Sequence, residues 1–294
     1  MKTYLFVLLM FPIVLFSQEK PDTIKTWNYG GLVSLNFTQI SLSNWAAGGQ
    51  SSTAGVGILN VFANYKEGNR LWENSLYMGY GMIKEKDNKA IKSDDRFELN
   101  SKYGIKKTET LYYSALFNFK TQFAPGYKYP NTTDAISQFL APAYLTLSVG
   151  VDYKPNKAWS FFVSPLTGKM TIVSDDVLSA QGAFGVDPGK KVRMEVGALV
   201  KIEVKTDIMK NVSLDSKVDM FSSYVNNPEN IDINWDFLLN MKINEFLSAN
   251  LMTNLIYDDD IKIPIDKNND GVIEKRGPRV QFKELFGLGL NYKF

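Results

Sequence analysis

The stretch IDINWDFLLNMKIN, residues 231–244, places an apolar side chain at every odd position from Ile231 to Ile243. The even positions carry Asp232, Asn234, Asp236, Asn240, Lys242 and Asn244. Successive strand residues point to opposite faces, whereas a helix repeats every 3.6 residues, so this alternation specifies a strand with one greasy and one wet face. The same two-residue period sets Val192, Met194, Val196, Ala198, Val200, Ile202 and Val204 against Arg193, Glu195, Gly197, Lys201 and Glu203. It sets Phe97, Leu99, Tyr103 and Ile105 against Arg96, Glu98, Asn100, Lys102 and Lys106. Comparable segments lie at 32–40, 54–66, 71–84, 111–123, 144–153, 158–165, 211–224, 246–257 and 280–294, making twelve in all.

Alternation alone suits a two-sheet sandwich and a membrane barrel equally, because both hide one face of each strand. The connections separate them. The links after the second, fourth, sixth, eighth and tenth strands are KEGNR, KKTET, KPNKA, TDIMKN and INE, all tight. The intervening links are longer and include SLSNWAAGGQSS and residues 124–140, 167–190 and 258–279, with 226–230 the shortest of them. Short turns on one side and longer loops on the other are the pattern of a closed up-and-down antiparallel transmembrane β-barrel, so an all-β barrel of about twelve strands is expected. Pro165 is expected to end its strand, since proline cannot donate to a ladder. Trp72, Tyr112, Tyr113, Trp159 and Phe246 stand just beyond the short turns, and Tyr65, Tyr103, Tyr153 and Phe294 stand on their other side or at the chain end. That placement suits an aromatic girdle at the headgroup level. The chain finishes on FGLGLNYKF, whose terminal Phe294 and period-two aromatics suit a strand that closes the barrel against the first one. Lipid offers no partner to an open edge.

The segments GLVSLNFTQISLSNWAAGGQSS, FKTQFAPGYKYPN, SPLTGKMTIVSDD, DIMKNVSLDSKVDMFSSYVNNPENIDINW, LIYDDDIKI and GPRVQFKELFGLGLNYKF resemble an uncharacterised outer-membrane β-barrel family of the Bacteroidota, a domain of unknown function. The likeness extends over nearly the whole mature chain. It implies a surface location and a barrel, and it implies no activity or site residues.

The first residues, MKTYLFVLLMFPIVLFSQEK, set Lys2 before an apolar run from Tyr4 to Phe16 and then Ser17, the layout of a secretory signal peptide. The run is too short for a membrane-spanning helix. The expected organisation is therefore a signal peptide over 1–17, a periplasmic N-terminal extension over 18–29 and an outer-membrane barrel over 30–294. Cysteine and histidine are both absent. Their absence excludes disulfides, thiolate chemistry, imidazole metal ligands and Ser-His devices, so an enzyme is not expected. With 33 basic against 31 acidic residues, the charge gives no reason for a nucleic-acid partner.

One short constellation carries metal-binding chemistry. In DKNNDGVIE, Asp266, Asn268 and Asp270 alternate before Gly271, with the Val272 carbonyl and Glu274 at the following ligand places. Hard oxygens at that spacing around a sharp glycine turn match the first half of a Ca²⁺ loop. The twelfth place is Gly277 where a bidentate Glu belongs, and a polar hairpin-tip turn is the other reading. Asp258, Asp259 and Asp260 are nearby spare carboxylates, and Trp45 is a candidate girdle, plug or glycan-stacking residue. The expected partners are outer-membrane lipid and, in one reading, another envelope protein. The first functional expectation is a transport or diffusion barrel for small solutes. The alternative is a structural or interaction protein with a closed lumen, whose surface loops bind a partner or lipid.

Overall fold

The computed structural model describes residues 26–41, 51–85, 88–265 and 274–294. The leader expected over 1–17 lies outside them, as does Trp45. The long alternating segments form β1 (Trp27–Ile40), β2 (Ser52–Glu67), β3 (Arg70–Glu85), β4 (Ile91–Lys106), β5 (Leu111–Thr121) and β6 (Ala143–Tyr153). They continue as β7 (Trp159–Ile172), β8 (Val192–Met209), β9 (Val212–Ser223), β10 (Asp232–Lys242), β11 (Leu247–Tyr257) and β12 (Gln281–Lys293). β1 opens at Trp27, inside the stretch read as an N-terminal extension. Each strand pairs antiparallel with its chain neighbours, and β12 pairs with β1, so the twelve close into an up-and-down barrel. Two short ribbons decorate the long loops, Gly126–Tyr127 with Ala135–Ser137 and Ile263–Ile265 with Lys275–Gly277. Helix α1 (Asp176–Ala180) lies between β7 and β8, and its N-cap Asp175 accepts a 2.8 Å hydrogen bond from the Leu178 amide.

The two faces divide as the alternation requires. Outward side chains are open to the surroundings, with Met194 at 70% and Leu290 at 61% exposure. Inward ones are closed off, with Phe162 at 0%, Asp152 at 1% and Glu98 at 3%. So broad an apolar exterior far exceeds the patches a soluble monomer shows. Hydrocarbon is the surrounding that suits it, and the barrel is transmembrane. Among the described residues no helix is long and apolar enough to cross a membrane. Aromatic side chains gather near the short-turn end. Trp27 lies 5.2 Å from Tyr65 and 5.8 Å from Trp72, centroid to centroid, and Trp159 stacks on Phe161 at 5.5 Å. Tyr112 departs from this girdle: it faces the lumen and is buried, because the inward positions of β5 are the even ones.

Pro165 does not end β7, which runs on to Ile172. The register shifts against both neighbours at this point, so Pro165 pairs with neither β6 nor β8. A bulge spares it the ladder hydrogen bond it cannot make. The long link after β7 accordingly begins at Val173 rather than Thr167. Gly150 lies opposite the bulge, where an added Cβ would stand 2.1 Å from the Val163 carbonyl oxygen.

The closing seam explains the terminal sequence. The Gly31 amide donates to the Phe294 carbonyl at 3.0 Å, and the Phe294 amide donates to the Gly31 carbonyl at 3.2 Å. Leu32 to Phe37 pair with Lys293 to Leu288 beyond them. Inside the barrel the β12 side chains vanish at Gly287 and Gly289, which lets a polar ladder cross that strand. Asn240 on β10 donates to Asn250 on β11 at 2.5 Å, and Asn250 donates over β12 to Asn36 on β1 at 2.8 Å. A Cβ on Gly289 would sit 2.5 Å from Asn36 Oδ1 and 2.8 Å from Asn250 Nδ2. Gly289→Val is therefore expected to destabilise the barrel by about 1–3 kcal/mol, the usual range for overpacking. Denaturant unfolding in detergent micelles should show an earlier midpoint for this variant than for Gly55→Val, whose added Cβ meets only the Asn36 carbonyl at 3.9 Å.

Candidate functional site: the barrel lumen

Inward positions on a barrel wall this wide cannot all meet apolar partners, and this chain fills them with charges of both signs. In the short-turn half, Lys102 on β4 sits 2.7 Å from Asp152, 3.5 Å from Glu73 and 3.6 Å from Glu203. Its ammonium also lies 3.1 Å from the Ser160 hydroxyl, while Lys154 holds Glu73 at 2.5 Å. Further along, Arg96 on β4 makes a two-pronged contact with Asp236 on β10, both hydrogen bonds 2.7 Å long. These two strands are six apart in either direction round the ring, so the contact spans the lumen from wall to opposite wall. Arg96 also engages Glu98, and Lys217 on β9 lies 2.8 Å from Glu98 and 3.4 Å from Asp236. Asn118 donates to Glu98 at 3.0 Å and to Asn100 at 2.7 Å.

A third group of charges lies toward the long loops. Lys169 on β7 stands 2.6 Å from Asp232, 3.7 Å from Asp258 and 3.9 Å from Glu195. Arg193 on β8 holds Glu195 at 2.9 Å and Asp260 at 2.6 Å. One carboxylate oxygen from each of Asp232, Asp258 and Asp260 fits within 4.8 Å of the others. The two cations already neutralise much of that charge. Burial raises the carboxyl of Asp258, in the loop after β11, above its usual value, and the nearby Lys169 opposes the rise.

Between these groups the inner wall turns apolar. Leu116, Phe162, Leu199 and Phe221, from β5, β7, β8 and β9, form one buried cluster inside the barrel. Lys169 caps it, its Nζ 5.1 Å from the Phe221 ring centroid. Above the cluster, in the long-loop half, a cavity of about 460 Å³ opens along the lumen. Strand residues such as Leu199, Phe221 and Ile256 line its walls, and three long loops contribute Ile136, Phe184 and Ile261 to its rim. Two bulky residues of those loops, Leu140 and Phe184, hold left-handed backbone with φ of 56° and 57°. That conformation costs about 1–3 kcal/mol for such residues and gathers at ligand clamps.

Of the candidate Ca²⁺ ligands, only Glu274 is among the described residues. Asp266, Asn268, Asp270 and Val272 lie outside the described residues. Glu274 is exposed, and its amide donates to the Ile265 carbonyl at 3.1 Å. The carboxylates that do come together are Asp258 and Asp260 with Asp232, which the sequence places on another segment. Charge alternation within single strands, as in Arg96 and Glu98 or Asp215, Lys217 and Asp219, suits either an aqueous path or a paired lumen, and the cross-lumen partners carry no signal in the sequence.

A family described as a protein of unknown function (DUF3078) matches residues 37–127. No curated protein matches the chain. Among solved structures the chain is similar to the NanC porin at 10% identity, covering 91% of this chain and 100% of that one with a TM-score of 0.41. It is similar to an outer membrane channel from Pseudomonas putida F1 at 14% identity, covering 93% and 99%, with a TM-score of 0.40. It is also similar to the translocator domain of the autotransporter NalP from Neisseria meningitidis at 9% identity, covering 92% and 90%, with a TM-score of 0.37.

The cross-lumen bridge makes a sharp stability prediction. Arg96→Met leaves Glu98 and Asp236 buried with Lys217 as their remaining close cation, and uncompensated buried charge costs about 3–5 kcal/mol when one partner of a pair is removed. The second cation should hold the loss at or below the low end of that range. Removing the exposed pair at the short-turn end, by Lys106→Gln, should leave the unfolding midpoint where it is. Parallel denaturant titrations of the two variants test the difference.

Proposed function

We propose that the chain is an outer-membrane transport barrel for small solutes whose lumen is closed at rest. The observation that carries this reading is the cavity of about 460 Å³ inside the barrel, walled in part by three long loops and floored by the apolar cluster, with Glu98 of the cross-lumen network in its lining. Pockets of that size accept small organic molecules. Solute would enter from the loop side, rest above the floor and pass when the bridge releases. The resemblance to outer-membrane proteins of the Bacteroidota belongs to the same proposal, as does export by the leader over 1–17. Two solved structures to which the chain is similar are a porin and an outer membrane channel, which is in keeping with it.

The tightly packed lower lumen favours a second reading, a closed barrel whose loops hold a partner or lipid. Planar-bilayer recording separates the two. On the transport reading, wild-type protein shows rare, small openings, and the double variant Arg96→Ala/Asp236→Ala, which clears the cross-lumen bridge, conducts several-fold more with little voltage dependence. A wild type and a cleared variant that are both silent, though folded by heat-modifiable migration on gels, would leave the closed barrel as the reading.

A further inference from the structure

The charges that line the cavity are paired almost throughout. Lys201 lies 3.0 Å from Asp219, Lys169 holds Asp232 and Asp258, and Glu98 is held by Arg96 and Lys217. Lys120, on the inward face of β5, is the exception. It lines the cavity, and among the described residues its ammonium has neither an ion pair nor a hydrogen bond. Two residues further on, Gln122 also lines the cavity, and its buried Nε2 has no hydrogen-bond partner. A buried donor such as the Gln122 amide left unmade costs about 1–3 kcal/mol, and the half-buried Lys120 ammonium beside it carries a charge with no close partner. Both groups are donors, both sit on one stretch of wall, and the acids nearby are already engaged by other cations.

We infer that the cavity is a binding site for an amphipathic carboxylate, its head group held by Lys120 and Gln122 and its apolar body lying against Leu116, Leu199 and Phe221. This inference rests on the transport reading for its physiological sense and names the class of solute. The chemistry follows from what is unsatisfied. An anion supplies the charge that Lys120 lacks and an acceptor for the Gln122 amide; Asp219, which lines the same cavity with a buried Oδ1 that accepts no hydrogen bond, is already charge-paired with Lys201 at 3.0 Å. A carboxylate oxygen accepts from both donors at once, as charge-assisted hydrogen bonds favour. The apolar wall, continuous with the internal cluster, rewards a hydrocarbon or aromatic body over a small inorganic ion.

Titration calorimetry on the full chain in phosphatidylcholine nanodiscs tests this with three probes of one shape: 4-phenylbutyrate, its neutral amide and the corresponding amine. The carboxylate is expected to bind at least tenfold more tightly than the amide, with the amine weakest. Lys120→Gln should abolish the preference for the anion, and Gln122→Leu should weaken it. Equal binding of carboxylate and amide to the wild type would overturn the inference without any variant having to fold. Retention of the preference by a folded Lys120→Gln barrel would overturn it too. Uptake of the same probes into proteoliposomes keeps the two readings apart. Anion-selective binding without uptake sustains this site and sinks transport, whereas uptake without anion preference sinks the site and leaves transport standing.

Discussion

Every backbone amide and carbonyl that meets hydrocarbon must find its partner within the protein, because each one left unmade costs several kcal/mol. A sheet with a free edge cannot satisfy this, so the antiparallel ladder from β1 to β12 must return to its start. The return is made at the two ends of the sequence, where Gly31 and Phe294 exchange both backbone hydrogen bonds. Much else in the chain serves that joint. The glycines of β12 remove side chains where the Asn250–Asn36 hydrogen bond passes over the strand, so the seam is stitched by side chains as well as by backbone. The outward positions of the same strand, Phe286, Leu288, Leu290 and Tyr292, remain large and apolar. One short segment thus meets two opposite demands by alternation.

Closing twelve strands creates the second constraint, an interior too wide to be crossed by neighbouring side chains alone. Smaller barrels fill their lumen and much larger ones leave it aqueous. This chain spans it with long charged side chains, and their geometry keeps them paired. Buried ion pairs return little net stability, since desolvation offsets most of their attraction, but an unpaired member is strongly destabilising. Register is where such pairs exert their effect. A slip of β4 by one residue would turn Arg96, Glu98 and Lys102 toward lipid and Phe97 and Leu99 inward. The charged interior therefore fixes which face of each strand looks out, and it does so more firmly than the apolar exterior, to which lipid offers no shape.

Much of this was legible in the sequence because it is local. Period-two alternation, the rhythm of short and long links and the terminal phenylalanine each depend on residues within a few positions of one another. Pro165 shows where local reasoning stops. A proline in mid-strand argues for a strand end unless a bulge absorbs it, and the bulge depends on Gly150 and on β8 across the ladder. Tyr112 shows the same limit from another side, for beside Tyr113 only the strand's phase decides which ring faces the lumen. The inward apolar residues Leu116, Phe162, Leu199 and Phe221 interrupt the polar inner faces of their strands. They come from four strands and become one cluster only when the sheet is rolled up. The wall-to-wall contact of Arg96 with Asp236 joins residues 140 positions apart, and no spacing rule connects them.

The bridge that crosses the lumen is embedded in a shared charge network. Glu98 and Asp236 share two cations, Arg96 and Lys217, and each carboxylate lies within ion-pair distance of both. If Arg96 lets go of Asp236, it keeps Glu98 on its own wall, and Lys217 stays 3.4 Å from Asp236. Neither acid is orphaned, so the large penalty for an uncompensated buried charge does not arise. What is lost is two charge-assisted hydrogen bonds, each worth roughly 1.5–3 kcal/mol. A solitary bridge across the same gap would leave an acid uncompensated whenever it broke, whereas the shared one keeps both carboxylates beside a cation.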